Sequence, residues 1–332
     1  MTGLLDPAIL FFVFGVFAGA LRSNLEIPPA IGKFLSLYLL MALGLKGGFA
    51  LAAAGLTPAM LGSLAAALFM AFLVPALGYA FLRHRVSHFD AAAVAAAYGS
   101  VSAVSFVAAT QHLENLGLAP GGHMTVAMVL MESPAILMAV LLANAARHAS
   151  RAAIVVGAGQ AALSPRAGAG GTPLRGILRE SFTDGAQLLL LGSLVVGWVS
   201  GDAGRAVMQP FAGDLFKGLL AFFLLDMGLL VARNFADARR ASPVLIAYAV
   251  LGPLTHAAIA LALARLLGLP PADTALLMVL SASASYIVVP AVLRHAVPEA
   301  NPSLYLGLSL GLTFPLNILL GIPLYTWLAT AL

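Results

Sequence analysis

The sequence predicts an all-α integral membrane protein with ten transmembrane helices. Three observations support this fold class: the composition, the spacing of apolar stretches and a repeat within the chain. Of the 332 residues, 61% are hydrophobic and only 9% are charged, whereas soluble proteins carry about 25% charged residues. So little polar surface excludes a water-soluble enzyme, a nucleic-acid-binding protein and a disordered regulator. The chain has no cysteine, which excludes disulfides and thiol chemistry.

Ten apolar stretches are separated by charged residues or by proline and glycine, and most approach the roughly 20 residues that a membrane helix needs. The first stretch follows Asp6 and no basic residue, so we interpret it as a span rather than a signal peptide. The polar, Gly- and Ala-rich stretch 147–184 is a predicted linker between a first repeat, 1–146, and a second, 185–332. The predicted spans are 7–22, 30–50, 58–82, 90–110, 123–146, 186–204, 215–235, 242–267, 272–294 and 302–330.

The distribution of Lys and Arg predicts the orientation, because basic residues are enriched on the cytoplasmic side of membranes. With the linker in the cytoplasm, only four of the 17 basic residues are external, namely Lys46, Arg205, Lys217 and Arg265. We therefore expect a cytoplasmic linker and both termini outside.

The two halves of the chain resemble each other. Five short motifs recur in the same order, with nearly constant offsets of 178 to 185 residues, among them Ser105-Phe106-Val107 with Ser285-Tyr286-Ile287. Because each half contains an odd number of spans, the second copy would be inverted relative to the first. Inverted repeats are typical of secondary transporters, which bind their substrate near the membrane midplane between the copies.

Spans four and nine are rich in small and hydroxyl residues near their middles. Residues 98–106 are Tyr-Gly-Ser-Val-Ser-Ala-Val-Ser-Phe, and residues 281–290 are Ser-Ala-Ser-Ala-Ser-Tyr-Ile-Val-Val-Pro. We predict that both helices are interrupted, because hydroxyls and free amides at a half-helix N-terminus attract an anion. The alternative is ordinary helix packing through small residues; the matching positions in the two halves favour a binding site.

Glu132 and Asp226 are the acids that lie deepest within predicted spans. An ionisable group at that depth costs at least ~2.5–3.5 kcal/mol and usually faces a cavity or an ion pathway. We predict that these acids bind or gate sodium, with Ser100, Thr313 and Asn317 as neutral oxygen donors. The alternative is that each acid is protonated or hydrogen-bonded and holds helices together. We expect no catalytic residue, no cofactor and no metal other than transported sodium.

Several motifs resemble the SbtA-type sodium-dependent bicarbonate transporters, from about residue 27 to residue 320 with the linker excepted. The most specific is Ser281-Ala282-Ser283-Ala284-Ser285-Tyr286-Ile287, followed by Val289-Pro290-Ala291 and Gly311-Leu312-Thr313-Phe314-Pro315-Leu316-Asn317. Weaker matches are Ile27-Pro28-Pro29-Ala30-Ile31, Leu43-Gly44-Leu45-Lys46-Gly47-Gly48 and Leu225-Asp226-Met227-Gly228.

This resemblance implies a homotrimeric carrier in the plasma (inner) membrane of a bacterium, with ten helices in two inverted five-helix repeats. Spans 1, 2, 6 and 7 would form a gate part, and spans 3–5 and 8–10 a core part that slides against it. Bicarbonate and sodium would bind where the interrupted helices of the core meet. The substrate-binding residues implied are Ser102, Ser105, Phe106, Ser283, Ser285 and Tyr286.

Two features depart from the family. Residues 103–106 are bulkier than the Gly- and Ser-rich family segment, which bears on the identity of the anion. The resemblance also implies a cytoplasmic PII-like regulator. The short Gly- and Ala-rich linker argues against binding of that regulator to this chain.

The predicted function is import of bicarbonate coupled to sodium by alternating access. Moving an anion into a cell costs about 2.3 kcal/mol per 100 mV, and one co-transported sodium ion cancels that cost. Three alternatives remain open at this point. They are a sodium-coupled carrier of another small anion such as a monocarboxylate, a passive anion channel, and an intramembrane hydrolase with Glu132 and Asp226 as its dyad.

Overall fold

The computed structural model describes residues 6–55, 58–157, 185–239, 241–287, 289–290, 292–293 and 297–332. These residues form helices and connecting turns, with no strand among them. Within the described part of the chain, six helical segments are long and apolar enough to cross a membrane, and three apolar helices are shorter. The six are Pro29–Ala53, Met60–Leu82, His88–Asn115, Gly185–Phe235, Pro243–Leu266 and Pro302–Ala331; the shorter helices are Pro7–Ala20, His123–Glu132 and Pro271–Ala282.

The helices follow the predicted spans closely along the chain. The first half contains α1 (Pro7–Ala20), α2 (Pro29–Ala54), α3 (Pro58–Leu82), α4 (His88–Gly99), α5 (Ala103–Asn115) and α6 (His123–Gly157). The second half contains α7 (Gly185–Gln209), α8 (Leu215–Arg239), α9 (Pro243–Leu266), α10 (Pro271–Ala282), α11 (Pro302–Leu308) and α12 (Ile322–Ala331). Helix α6 continues past Arg147 into the predicted linker, and the rest of that linker, 158–184, lies outside the described residues.

Local sequence sets where many of these helices begin. Proline occupies the first position of α1, α2, α9, α10 and α11, where its missing N–H and fixed φ favour a helix start. Asp6 caps α1 and Ser242 caps α9, each by accepting a hydrogen bond from a first-turn amide.

The last membrane segment, predicted as the span 302–330, is not a regular α-helix throughout. Between α11 and α12 the backbone widens into π-helical turns at Ser309–Thr313 and Asn317–Gly321. Pro315 lies two residues after the end of the first of these turns, and Pro323 lies two residues after the end of the second. Proline lacks an N–H and clashes with the carbonyl four residues earlier, and a wider turn relieves both constraints.

Two helix pairs pack with their backbones in close contact: α1 against α8, and α2 against α7. Glycines make this approach possible, because a Cβ atom at Gly15 would lie 2.3 Å from the Leu225 carbonyl oxygen. A Cβ atom at Gly48 would lie 2.2 Å from the Leu194 carbonyl oxygen. Small residues at such contacts are the usual means of packing helices in a membrane, where no hydrophobic driving force brings them together.

The remaining helices pack around the interruptions of spans four and nine. Helix α3 packs against α4 and α6, and α10 packs against α9 and α12. As predicted, both spans are interrupted: α4 ends before Ser100 and α5 begins at Ala103, while α10 ends at Ala282 and extended backbone follows at Ser283.

Replacement of Gly197 by alanine tests the close packing of α2 on α7. The new Cβ atom would lie 2.5 Å from the Leu45 carbonyl oxygen, so we expect Gly197→Ala to lower the free energy of unfolding by about 1–3 kcal/mol. The measurement is the thermal unfolding midpoint of the purified protein in detergent. Gly192→Ala, on the same helix with open space around it, is the control and should be neutral or stabilising. Equal effects of the two substitutions would contradict the packing argument.

Candidate functional site

The two helix interruptions lie against each other and are joined by hydrogen bonds. The Ser102 amide donates to the Ser283 hydroxyl oxygen at 2.9 Å. The Ser285 amide donates to the Ala97 carbonyl at 2.8 Å. All four residues are buried. Each interruption therefore satisfies backbone groups of the other, as the membrane interior requires.

Serines occupy the same places in both interruptions. Ser100 and Ser283 follow the end of the first half-helix with extended backbone. The Ser102 hydroxyl accepts from the Ser105 amide at 3.1 Å, and the Ser285 hydroxyl accepts from the Val289 amide at 3.3 Å. By position, Ser102 thus corresponds to Ser285 with an offset of 183 residues. The repeated sequence motif instead pairs Ser105 with Ser285. That pairing differs by three positions from the correspondence seen in the structure.

A small cavity of about 80 Å³ lies beside the crossed interruptions, between them and helices α2, α6 and α7. A water molecule occupies about 30 Å³ in the liquid, so the cavity suits a small ion or a few waters. It brings together four residues singled out from the sequence and adds two polar residues that sequence reasoning missed, Ser36 and Gln187. Its polar lining consists of Ser36, Ser102, Glu132, Gln187, Ser285 and Tyr286.

The start of α5 contributes backbone amides to this cavity. Ala103 and Val104 both line it and occupy the first turn of the half-helix. Their amides find no hydrogen-bond acceptor in the part of the chain that the structure describes. Free first-turn amides carry the positive end of the helix dipole, so this wall of the cavity favours an anion.

The opposite charge in the cavity is Glu132, on α6. The Gln187 side chain, in the first turn of α7, donates a hydrogen bond to the Glu132 carboxylate at 2.6 Å. The cavity therefore combines a carboxylate with free amides and hydroxyls, a set of groups that can hold a cation and an anion together.

The other candidate sodium residues lie at different places. Ser100 is buried, and its hydroxyl has no partner among the described residues. Thr313 donates to the Ala249 carbonyl at 2.9 Å and lies 2.6 Å from the Tyr98 hydroxyl. Asn317 donates to the Ala282 carbonyl at 2.8 Å. Thr313 and Asn317 thus hold the last membrane segment against α4, α9 and the end of α10.

Asp226 and Glu132 do not line a common cavity. The Asp226 carboxylate faces the first turns of α2, where a Cβ atom at Gly32 would lie 2.8 Å from its Oδ2 atom. Because Asp226 lines neither this cavity nor the vestibule described next, the geometry gives the hydrolase dyad considered from the sequence no support.

A second, larger cavity of about 720 Å³, here called the vestibule, opens at the ends of α2, α5 and α7. On α5, Phe106 lines the vestibule, whereas Val104 lines the small cavity. On α2, Leu43 lines the vestibule, whereas Leu40 lines the small cavity. Val104 and Phe106 are two residues apart on α5, a rise of ~3 Å. Phe106, one of the substrate-binding candidates, therefore lies in the wall of the vestibule and not in the lining of the small cavity. Ser105 lines neither of them and packs its hydroxyl 3.1 Å from that of Ser102.

A family model described as the Na+-dependent bicarbonate transporter superfamily matches residues 7–330. No curated relative matches the sequence.

Removal of the Phe106 ring tests whether this residue separates the two cavities. Because the chain has no cysteine, Val104→Cys places a single thiol in the small cavity. We expect a membrane-impermeant thiol reagent to label this thiol slowly, and roughly tenfold faster when Phe106→Ala is added, since thiol reactivity follows access. Phe69→Ala, which removes an exposed ring on α3, is the control. An unchanged labelling rate in the Phe106→Ala background would contradict the barrier.

Proposed function

Since this chain belongs to the Na+-dependent bicarbonate transporter superfamily, we propose that it imports bicarbonate together with sodium by alternating access. It is a multi-pass membrane transporter. The observation that carries the proposal is the small cavity, in which the free amides of α5 and the Glu132 carboxylate lie together beside two crossed helix interruptions.

Bicarbonate suits the chemistry of this cavity. Its three oxygens would accept hydrogen bonds from the amides of Ala103 and Val104 and from the hydroxyls of Ser102, Ser285 and Tyr286. Amides at a helix N-terminus are a common anion site. A cavity of about 80 Å³ limits the substrate to a small anion. A short monocarboxylate is the nearest competing substrate. It carries a methyl group in place of one bicarbonate oxygen, so it would accept fewer hydrogen bonds from these donors.

Sodium would complete the charge balance of the site. Ionised Glu132 would supply a negative charge in the same cavity as the anion, so a cation between them would lower the cost of taking either ion from water. The buried hydroxyl of Ser100, which has no partner among the described residues, offers a further oxygen near the interruption. Binding of the two ions would then be cooperative, each raising the affinity of the other.

The proposed architecture is ten transmembrane helices in two inverted repeats. Segment Gly185–Phe235 is 51 residues long and contains the junction of α7 and α8, enough for two crossings. Counting it twice and adding the three shorter apolar helices brings the number of crossings to ten. The packing supports the repeat, because exchanging the halves turns the α1–α8 pair into the α7–α2 pair.

In this arrangement α1, α2, α7 and α8 form the gate part, and the helices around the interruptions form the core that moves. The same proposal includes a cytoplasmic linker with both termini outside and a location in a bacterial inner membrane. It also includes trimeric assembly and a PII-like regulator.

The central experiment is uptake of labelled bicarbonate into proteoliposomes at alkaline pH, where little carbon dioxide is present. We expect uptake that requires a sodium gradient and disappears when choline replaces sodium. Excess unlabelled acetate should compete weakly if bicarbonate is the substrate and strongly if a monocarboxylate is. Uptake that proceeds equally in choline would reject sodium coupling, and ion currents far above carrier turnover would indicate a channel.

Substitution of Ser285 tests the anion site. We expect Ser285→Leu to abolish uptake, because the larger apolar side chain fills the cavity and removes the hydroxyl that accepts from the Val289 amide. Size-exclusion chromatography should show an unchanged assembly. Ser200→Ala, which removes only a hydroxyl bonded to its own helix, is the control and should transport normally. Full activity of Ser285→Leu would place the substrate elsewhere.

Substitution of Glu132 tests the sodium site. We expect Glu132→Gln to raise the sodium concentration for half-maximal uptake about tenfold or more, since a charged ligand interaction is worth at least ~1.5 kcal/mol. Asp226→Asn is the matched comparison, and a smaller effect there would assign the dominant role to the acid in the cavity. A larger effect of Asp226→Asn would reverse that assignment.

A further inference from the structure

The vestibule carries more positive charge than its ion pairs neutralise. Three basic residues line it, Lys46, Arg205 and Lys217, together with two acids, Glu114 and Asp214. Lys46 binds the Glu114 carboxylate at 2.8 Å and lies over the Phe216 ring. These two charges therefore cancel within the vestibule wall.

Arg205 and Lys217 are different, because neither has a hydrogen-bond or ion-pair partner among the described residues. Asp214 interacts with the Gln209 amide at 3.4 Å. One uncompensated positive charge thus remains on the wall. Charges that line a cleft with low-dielectric walls focus the field and raise the local concentration of the opposite ion.

The connection between α7 and α8 brings these two cations to one cavity. Gly201 has a φ of 52°, a left-handed conformation that kinks α7 before Arg205. A π-helical turn at Pro210–Asp214 then leads into α8 and Lys217. At Gly213 a Cβ atom would collide with the Gln209 side chain. The kink at Gly201 favours glycine, which adopts a positive φ without steric cost.

A second observation points to a ligand on the opposite wall. Thr110, on α5, lines the vestibule and is buried, and its hydroxyl has no partner within the described part of the chain. A buried polar group is normally hydrogen-bonded, so an orphaned hydroxyl in a polar cavity marks a place for water or a ligand. Thr110 lies one helical turn from Phe106, which lines the same cavity.

We propose that the vestibule is a first binding site for the transported anion, a small monovalent oxyanion, held by Arg205 and Lys217 with Thr110 as a deeper hydrogen-bond donor. This site rests on the proposed function, because its ligand is the same anion that the small cavity would bind. The planar Arg205 guanidinium offers paired N–H groups to such an oxyanion.

The test is bicarbonate uptake by cells that express the double variant Arg205→Gln, Lys217→Gln. We expect the KM for external bicarbonate to rise about tenfold, the lower end of the range by which such fields concentrate ions, with kcat little changed. The KM for sodium should stay the same or fall, because the lost charges repel cations. In the wild-type protein, the bicarbonate KM should increase with ionic strength, since salt screens exposed charges. In the double variant, this increase should be smaller.

Two further variants separate charge from packing. Arg205→Lys with Lys217→Arg keeps both charges and should retain most of the wild-type KM. Arg265→Gln removes a charge that lies outside the vestibule and bonds the Ala329 carbonyl, and it should leave the bicarbonate KM unchanged.

A single-site measurement covers the case in which the double variant folds poorly. Because the chain has no cysteine, Arg205→Cys can be labelled selectively with thiol reagents of either charge. A cationic label should lower the bicarbonate KM again, and an anionic label should raise it further. Equal effects of the two labels would overturn the vestibule site.

The results separate this site from the proposed function. If the wild-type protein shows no sodium-dependent uptake, the proposed function fails. If the wild-type protein transports and the double variant has an unchanged bicarbonate KM, or raises both KM values together, the vestibule site is overturned.

Discussion

The crossing of the two helix interruptions is the constraint on which the rest of the structure depends. An unpaired backbone group in a membrane costs several kcal/mol, so a broken helix is stable only where protein or water satisfies it. Here the Ser102 amide bonds Ser283 and the Ser285 amide bonds Ala97. The amides of Ala103 and Val104 remain for a ligand, and the side chains of Thr313 and Asn317 fix the helices behind them. The cavity exists because the interruptions satisfy each other only in part.

The two groups of helices are held by different kinds of contact. Glycines bring α1 onto α8 and α2 onto α7 with backbones nearly touching, which favours a rigid unit. Between that unit and the helices around the interruptions, the described residues form polar contacts that join pairs of side chains. Gln187 bonds Glu132, Lys46 pairs with Glu114, and Asn115 donates to Asp6. One close backbone approach also crosses this boundary, because a Cβ atom at Gly122 would lie 2.0 Å from the Gly47 carbonyl oxygen.

The two cavities differ in charge. The vestibule has excess positive charge, and the small cavity combines free amides with Glu132. In the proposed function, an anion is attracted first to the vestibule and is bound later in the small cavity, where a cation can accompany it. A sodium ion paired with the anion also cancels the work of moving charge against the membrane potential.

The sequence by itself determined the protein class, most of the helices and both interruptions. Each of these depends on local composition: apolar length sets a span, and small hydroxyl residues followed by proline or glycine weaken a helix. Only the tertiary structure decided which side chains meet. Ser102 rather than Ser105 corresponds to Ser285, Glu132 shares a cavity with Gln187 while Asp226 faces α2, and Phe106 lines the vestibule rather than the small cavity. The pattern of apolar residues also did not predict the π-helical turns near Pro315 and Pro323. A hydropathy pattern is unchanged when a helix rotates by one residue or packs against another neighbour, and these placements depend on that rotation and that packing.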